Sequence, residues 1–189
     1  SQDRIIFAGV EFMGESAKIL NPKKRVFMPD MNADCPMAHM ADKDEILALR
    51  EKYDDLAVVC YINSTAELKK YSDVCVTSSN AVKIVKNLPN KNIFFIPDRN
   101  LGSYVAKQCP DKNFIFNNGC CPRHVVITKD MVLKAKELHP EARFAAHPEC
   151  TEDVLAFADY VGSTSGIIDY VVDTDADEYI IGTVDGVFN

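Results

Sequence analysis

The sequence has no apolar run long enough for a membrane-spanning helix, and no basic-then-apolar leader at its start. A membrane partner is therefore not expected, and a cytoplasmic protein with reduced thiols is. It also has no surplus of positive charge: 21 lysines and arginines face 28 aspartates and glutamates, for a net charge of −7. Lys23, Lys24 and Arg25 form the one basic cluster, too short to build the basic face that phosphate backbones require, so nucleic acid is excluded as an expected partner. Local Cys-x₂₋₄-Cys pairs are missing too, which argues against an ordinary structural zinc site. No linker or low-complexity tract breaks the chain.

What is present suits a folded α/β protein. The chain has 189 residues, 47 % of them apolar and 26 % charged, enough for one large domain or two to three small ones. Its seven cysteines are odd in number and unlike a disulfide scaffold in spacing, so the conspicuous ones read as ligands or nucleophiles. Cys60 and Cys75 lie inside apolar runs ("LAVVCYI", "DVCVTSS") and read as small buried hydrophobes. The chain opens on "DRIIFAGV" without an initiating Met and stops on "EYIIGTVDGVFN", so a piece of a longer protein is expected.

Short β-branched runs alternate with amphipathic ones. The strand candidates are "RIIFA", "RVFMP", "LAVVCY", "DVCVT", "NIFFIP", "NFIF", "RFAAH", "DYVG" and "EYIIG". Helix candidates between them include "FMGESAKIL", "DEILALREKY", "AELKKY", "NAVKIVKNL", "LGSYVAKQ", "DMVLKAKELH" and "EDVLAFA". This alternation predicts short parallel sheets with right-handed crossovers.

An internal repeat organises them. A shift of 86 positions lays Cys35-Pro36 on Cys121-Pro122, "DKDEILALREKY" on "TKDMVLKAKELH", and "YINSTAELKKYSDVCVTSS" on "HPECTEDVLAFADYVGSTS". Loops at the carboxyl ends of such strands bind ligands, so repeated cysteines placed there would converge on one axis. Three converging thiolates suit zinc or an iron–sulfur cluster, and ligands spaced one per domain suit a cluster between domains. The offset selects Cys121 rather than its neighbour Cys120 as the ligand, and leaves Cys120 to packing or support.

Other candidates sit around these thiols. His124, three residues past Cys121, either orients the site or serves as an acid, or is simply a surface histidine. Tyr61-x-Asn63 and His147-x-Glu149 close equivalent strands, and residues two apart on extended backbone point the same way, as acid–base pairs must. Tyr61 is equally a core residue, and Glu149 a neighbour of a helix cap. In "TSSNAVKIV" and "STSGIIDYV", Ser78 and Thr164 stand where helices open, suited to phosphate or carboxylate, or to plain capping.

Together "VEFMGESAKILNP", "MPDMNADCPMA", "YINSTAELK", "TSSNAVKIV", "IPDRNLGSYVAKQ", "NGCCPRH" and "HPECTEDVLAFADYVGSTSG" resemble the quinolinate synthase family over the whole length. The resemblance implies a pseudo-threefold arrangement of αβα domains around a central cavity. Residues 1–36 would be the remainder of the first domain, 37–122 the second, and 123–189 an incomplete third. It implies a [4Fe-4S] cluster held by one cysteine per domain, Cys35 and Cys121 among them, with one iron left as a Lewis acid. It implies condensation of iminoaspartate with dihydroxyacetone phosphate to quinolinate in NAD biosynthesis, with L-aspartate oxidase or aspartate dehydrogenase supplying the imine. Tyr61, Asn63, Ser78, His147, Glu149 and Thr164 would line the substrate cavity, and Tyr61, His147, Glu149 and His124 would be the catalytic candidates. The family's His-x-Tyr and Gly-Asp-Ser motifs and its third cluster cysteine are missing, and Cys120 departs from its pattern, so the chain alone is expected to be inactive.

Two other readings compete: a phosphometabolite-binding protein using the helix starts alone, and a zinc-stabilised repeat module. The repeat itself makes a checkable statement. A further shift of 86 from Cys121 falls on position 207, and reading the gene past Asn189 should find a cysteine near there.

Overall fold

In the computed structural model, which describes residues 2–184, the α/β alternation is built as three small parallel sheets. The first pairs β1 (Arg4–Ile6) with β2 (Arg25–Phe27) across helix α1 (Glu11–Leu20). The second has the order β4-β3-β5-β6, from β3 (Leu56–Tyr61), β4 (Val74–Val76), β5 (Asn92–Ile96) and β6 (Asn113–Phe116). The third has the order β8-β7-β9, from β7 (Arg143–Ala146), β8 (Tyr160–Val161) and β9 (Tyr179–Gly182). Each of the nine strand candidates falls on one of these strands.

Helices cover the sheets because the crossovers must return over a face. α2 (Lys43–Lys52), α3 (Ala66–Lys70), α4 (Ala81–Asn87) and α5 (Arg99–Gln108) belong to the second sheet, and α6 (Lys129–Leu138), α7 (Glu152–Leu155) and α8 (Thr164–Asp173) to the third. All six residues of β3 are buried, as a strand covered on both faces requires. On one face Ala57, Val59 and Tyr61 pack with Val85, Leu101 and Val105 of α4 and α5. On the other, Leu56, Val58 and Cys60 pack with Ile46 and Leu68 of α2 and α3. Gly102 of α5 permits the close packing on β5, since a Cβ there would lie 2.9 Å from the Phe95 ring.

Two features escape the sequence pattern. Pro36–His39 forms a 3₁₀ turn, opened by Pro36 and closed by the Ala38 amide donating to the Cys35 carbonyl at 2.9 Å. Cys75, expected to be buried, is exposed. It lies on β4, an edge strand, and the apolar run around it does not distinguish an edge from a centre.

The 86-residue offset is carried into hydrogen bonds. Asp73 Oδ2 accepts from the Val58 amide at 2.7 Å, and Asp159 Oδ2 accepts from the Phe144 amide at 2.7 Å. Arg50 reaches Asp73 at 2.8 Å, and its equivalent Lys136 reaches Asp159 at 3.6 Å. In the turns after β4 and β8, Thr77 and Ser79 hydroxyls lie 2.8 Å apart, and Ser163 and Ser165 hydroxyls 3.1 Å apart. The two carboxylates each tie a central strand to the turn entering its neighbour, so Asp73→Ala and Asp159→Ala should each cost about 1–3 kcal/mol, the penalty of an unpaired strand amide. A fall in the urea midpoint with unchanged slope is the expected reading; an unmoved midpoint for both would show that water replaces them.

Candidate functional site

Parallel strands present their carboxyl ends on one side, and here those ends of all three sheets border one cavity of about 730 Å³. Every site residue expected from the sequence lines it: Cys35 after β2, Tyr61 at the end of β3 and Asn63 after it, Ser78 after β4, Cys121 and His124 after β6, His147 and Glu149 after β7, and Thr164 after β8. Cys120 does not. It faces a second cavity of about 560 Å³ that also takes in Arg99 of α5 and Leu155 of α7.

Glu149 is the centre of the polar network and is only 3 % exposed. The Tyr61 hydroxyl donates to its Oε1 at 2.6 Å, and His124 Nδ1 lies 3.0 Å from its Oε2. Burial by itself favours the neutral acid. The hydrogen bond from His124, with the histidine rings and the Tyr61 hydroxyl, outweighs it and holds the carboxyl down at about 2. Tyr61 is pushed the other way, first by burial and then by the Glu149 charge, so it stays a phenol and a donor. The question of whether Tyr61 is core or site has both answers: its ring sits in the apolar core, and its hydroxyl leaves it.

The two buried histidines differ. His124 Nδ1 also lies 3.1 Å from Cys121 Sγ, and its Nε2 lies 3.1 Å from Thr183 Oγ1. His147 stacks on it at 4.8 Å between ring centres. The Glu149 amide donates to His147 Nδ1 at 3.3 Å, which leaves the ring proton on Nε2. Burial lowers His147 to about 4, against the pull of Glu149 and with the neighbouring His124. His147 is thus neutral around pH 7 and acts on Glu149 as a dipole; the His124 contact is the stronger influence.

The thiols suit a metal. Burial, then Glu149, pushes Cys121 up to about 12, and burial raises Cys35. Neither thiolate forms readily without a cation to face it, and both open on the same cavity. Cys121, His124 and Glu149 also offer three ligand atoms within 4.8 Å of one another. Glu11, Asp34 and His39 make a second such group, which is largely exposed.

Ser78 and Thr164 are not the helix caps. Ser163 caps α8, accepting from the Gly166 amide at 3.3 Å, which leaves the Thr164 side chain to the cavity. Ser78 lies in the turn before α4, where Asn80 Oδ1 accepts from the Thr77 amide at 2.7 Å.

Sequence reasoning missed the residues that hold the site in place. Asp98, fully buried, caps α5 by accepting from the Leu101 amide at 2.8 Å, and with its other oxygen accepts from the Cys121 amide at 3.0 Å. Burial and the Glu149 charge raise it to about 7 against those bonds. Asn100 Nδ2 donates to the Glu149 carbonyl at 3.0 Å. An acid ahead of a helix signals a cap, but nothing in the sequence says that its second oxygen reaches another loop.

The family described as "Quinolinate synthetase A protein" matches residues 1–189. A quinolinate synthase of Fusobacterium nucleatum is 60 % identical over 183 residues, which cover 97 % of this chain and 61 % of that protein. One from Caldicellulosiruptor saccharolyticus is 54 % identical, covering 99 % of the chain and 62 % of the relative. One from Clostridioides difficile is 48 % identical over 188 residues, 100 % of the chain and 62 % of the relative. The chain thus spans about 61 % of the length of the curated relatives it matches.

The histidine assignment has its own signature. Nitrogen-resolved NMR should show His147 with a bare Nδ1 and protonated Nε2 from pH 8 to pH 5. Its folded value lies below its unfolded one, so stability held above about 6.5 should drain away as pH falls towards about 4. A ring that charges near pH 6.5 would refute the assignment.

Proposed function

The chain belongs to the quinolinate synthetase A family, and from that premise we propose that the full-length protein condenses iminoaspartate with dihydroxyacetone phosphate, losing phosphate and water to give quinolinate for NAD biosynthesis. The observation that carries the reading is the meeting of nine residues from three sheets in one cavity, with a charged carboxylate at its centre. A [4Fe-4S] cluster would be held by Cys35, Cys121 and a third cysteine of the longer protein. The donor chemistry fits, because soft thiolates are the ligands that iron–sulfur clusters select. When bound, the cluster supplies a Lewis acid at the iron the cysteines leave open.

The chain's own residues provide the rest. Glu149, ionised and fed by two donors, takes the part of general base. Tyr61, a phenol 2.6 Å from it, relays or returns the proton. His147, neutral with its proton on Nε2, donates a hydrogen bond to a substrate oxygen. His124, between Cys121 Sγ and Glu149, orients both. The Ser78 and Thr164 hydroxyls and Asn63 supply donors for the carboxylates and the phosphate. L-aspartate oxidase or aspartate dehydrogenase is the upstream source of the unstable imine, and the cytoplasm is the compartment where the cluster cysteines stay reduced. Among the described residues no helix is long and apolar enough to cross a membrane.

One observation favours a second reading. Cysteine, histidine and glutamate within 4.8 Å of one another form a zinc-type ligand set. Metal content separates the two. The full-length protein purified without oxygen should hold about four irons and four sulfides per chain; zinc without sulfide overturns the cluster reading. Glu149→Gln should keep the iron and lower quinolinate formation by about 10²–10⁴, the usual contribution of a positioned base. Unchanged turnover would remove Glu149 from the chemistry.

A further inference from the structure

Cys60 and Cys75 take no part in the cavity, yet they are register partners on the parallel strands β3 and β4. Neighbouring strands lie about 4.8 Å apart, inside the Cα separation a disulfide accepts. Their side chains share one face, and each thiol is near enough to perturb the other, while the Cys60 thiol donates to the Tyr61 carbonyl at 3.4 Å. One partner is fully buried and the other exposed. Lys69 of α3, half-buried with its Nζ donating to Ser16 Oγ at 2.9 Å, adds positive charge beside both. The repeat does not impose this pair, because the equivalent register partners on β7 and β8 are Ala146 and Val161.

The geometry points to a covalent modification site: a reactive dithiol in which exposed Cys75 attacks a low-molecular-weight disulfide and buried Cys60 resolves the adduct, leaving a Cys60–Cys75 bridge. The first step forms a bond between Cys75 Sγ and one sulfur of the small disulfide and expels the other as thiolate. In the second, the Cys60 thiol gives up its proton and its sulfur displaces the remaining small thiol from Cys75. The protein loses two electrons and two protons, and the small disulfide becomes two thiols.

The electrostatics agree. The neighbouring Cys60 thiol, helped by the Lys69 charge, lowers Cys75 to about 7, while the presence of Cys75 and burial raise Cys60. At pH 7 such a thiol carries about sixteen times more thiolate than an ordinary one, offset about fivefold by lower nucleophilicity. A net rate advantage of about threefold follows. Bridged Cβ atoms must come within about 3.5–4.5 Å, closer than the strand spacing, so the bond is strained and easily reduced.

The test uses full-length, cluster-loaded protein treated with oxidised glutathione without oxygen, then alkylated and mapped by mass spectrometry. Expected are a linked Cys60–Cys75 peptide pair, two glutathione thiols released per chain, and reversal by dithiothreitol. Cys60→Ser should trap glutathione on Cys75, and Cys75→Ser should leave both positions free of adduct and bridge. The proposal is overturned if Cys75 stays unmodified, or if its adduct persists in the natural protein without passing to Cys60. Should Cys60→Ser fail to fold, the natural protein's peptide map decides alone.

Discussion

The buried carboxylate of Glu149 is the constraint around which the rest is arranged. It stands after β7 of the third sheet and accepts from Tyr61 of the second and from His124 in the loop between them. An ionised group only 3 % exposed is tolerable only if donors replace water, and here two do so in direct contact. The sheets must therefore keep the spacing that delivers both. Removing either donor would leave a buried charge under-satisfied, which is far costlier than the bond itself is worth.

A second set of contacts keeps Glu149 and the thiol in register. The first turn of α5 serves both: Asp98 holds the Cys121 amide and Asn100 holds the Glu149 carbonyl. One rigid helix thus sets the positions of a candidate metal ligand and a candidate base. That division suits sites needing precision, because residues that do chemistry gain little from also carrying the scaffold.

The strands were legible because each is a short β-branched run with turns on either side. The burial of β3 was legible as well, since an unbroken apolar run means cover on both faces. That the nine candidates line one cavity was readable because they close or follow strands, or stand in or just after the repeated Cys-Pro pairs, positions where α/β sheets gather ligands. Cys75 misled because edge and centre strands share a composition, and only pairing tells them apart. Asp98 and Asn100 were silent for a different reason. Their partners lie 23 and 49 residues away, and no local pattern encodes such a hydrogen bond.

The repeat explains how one frame carries unlike chemistry. Asp73 and Asp159 make the same strand contact, and the hydroxyl pairs after β4 and β8 match. At the strand ends the equivalents differ: Tyr61 against His147, Asn63 against Glu149, Ser64 against Cys150. A strictly symmetric cavity would present two tyrosines or two glutamates to each other. Two phenols leave no ionised base at pH 7, and two close carboxylates force one to stay protonated. The difference at these positions, beside strand contacts that match, is what lets a phenol meet a carboxylate at 2.6 Å. The hydrogen bond at the centre of the cavity depends on equivalent strand ends carrying unlike side chains.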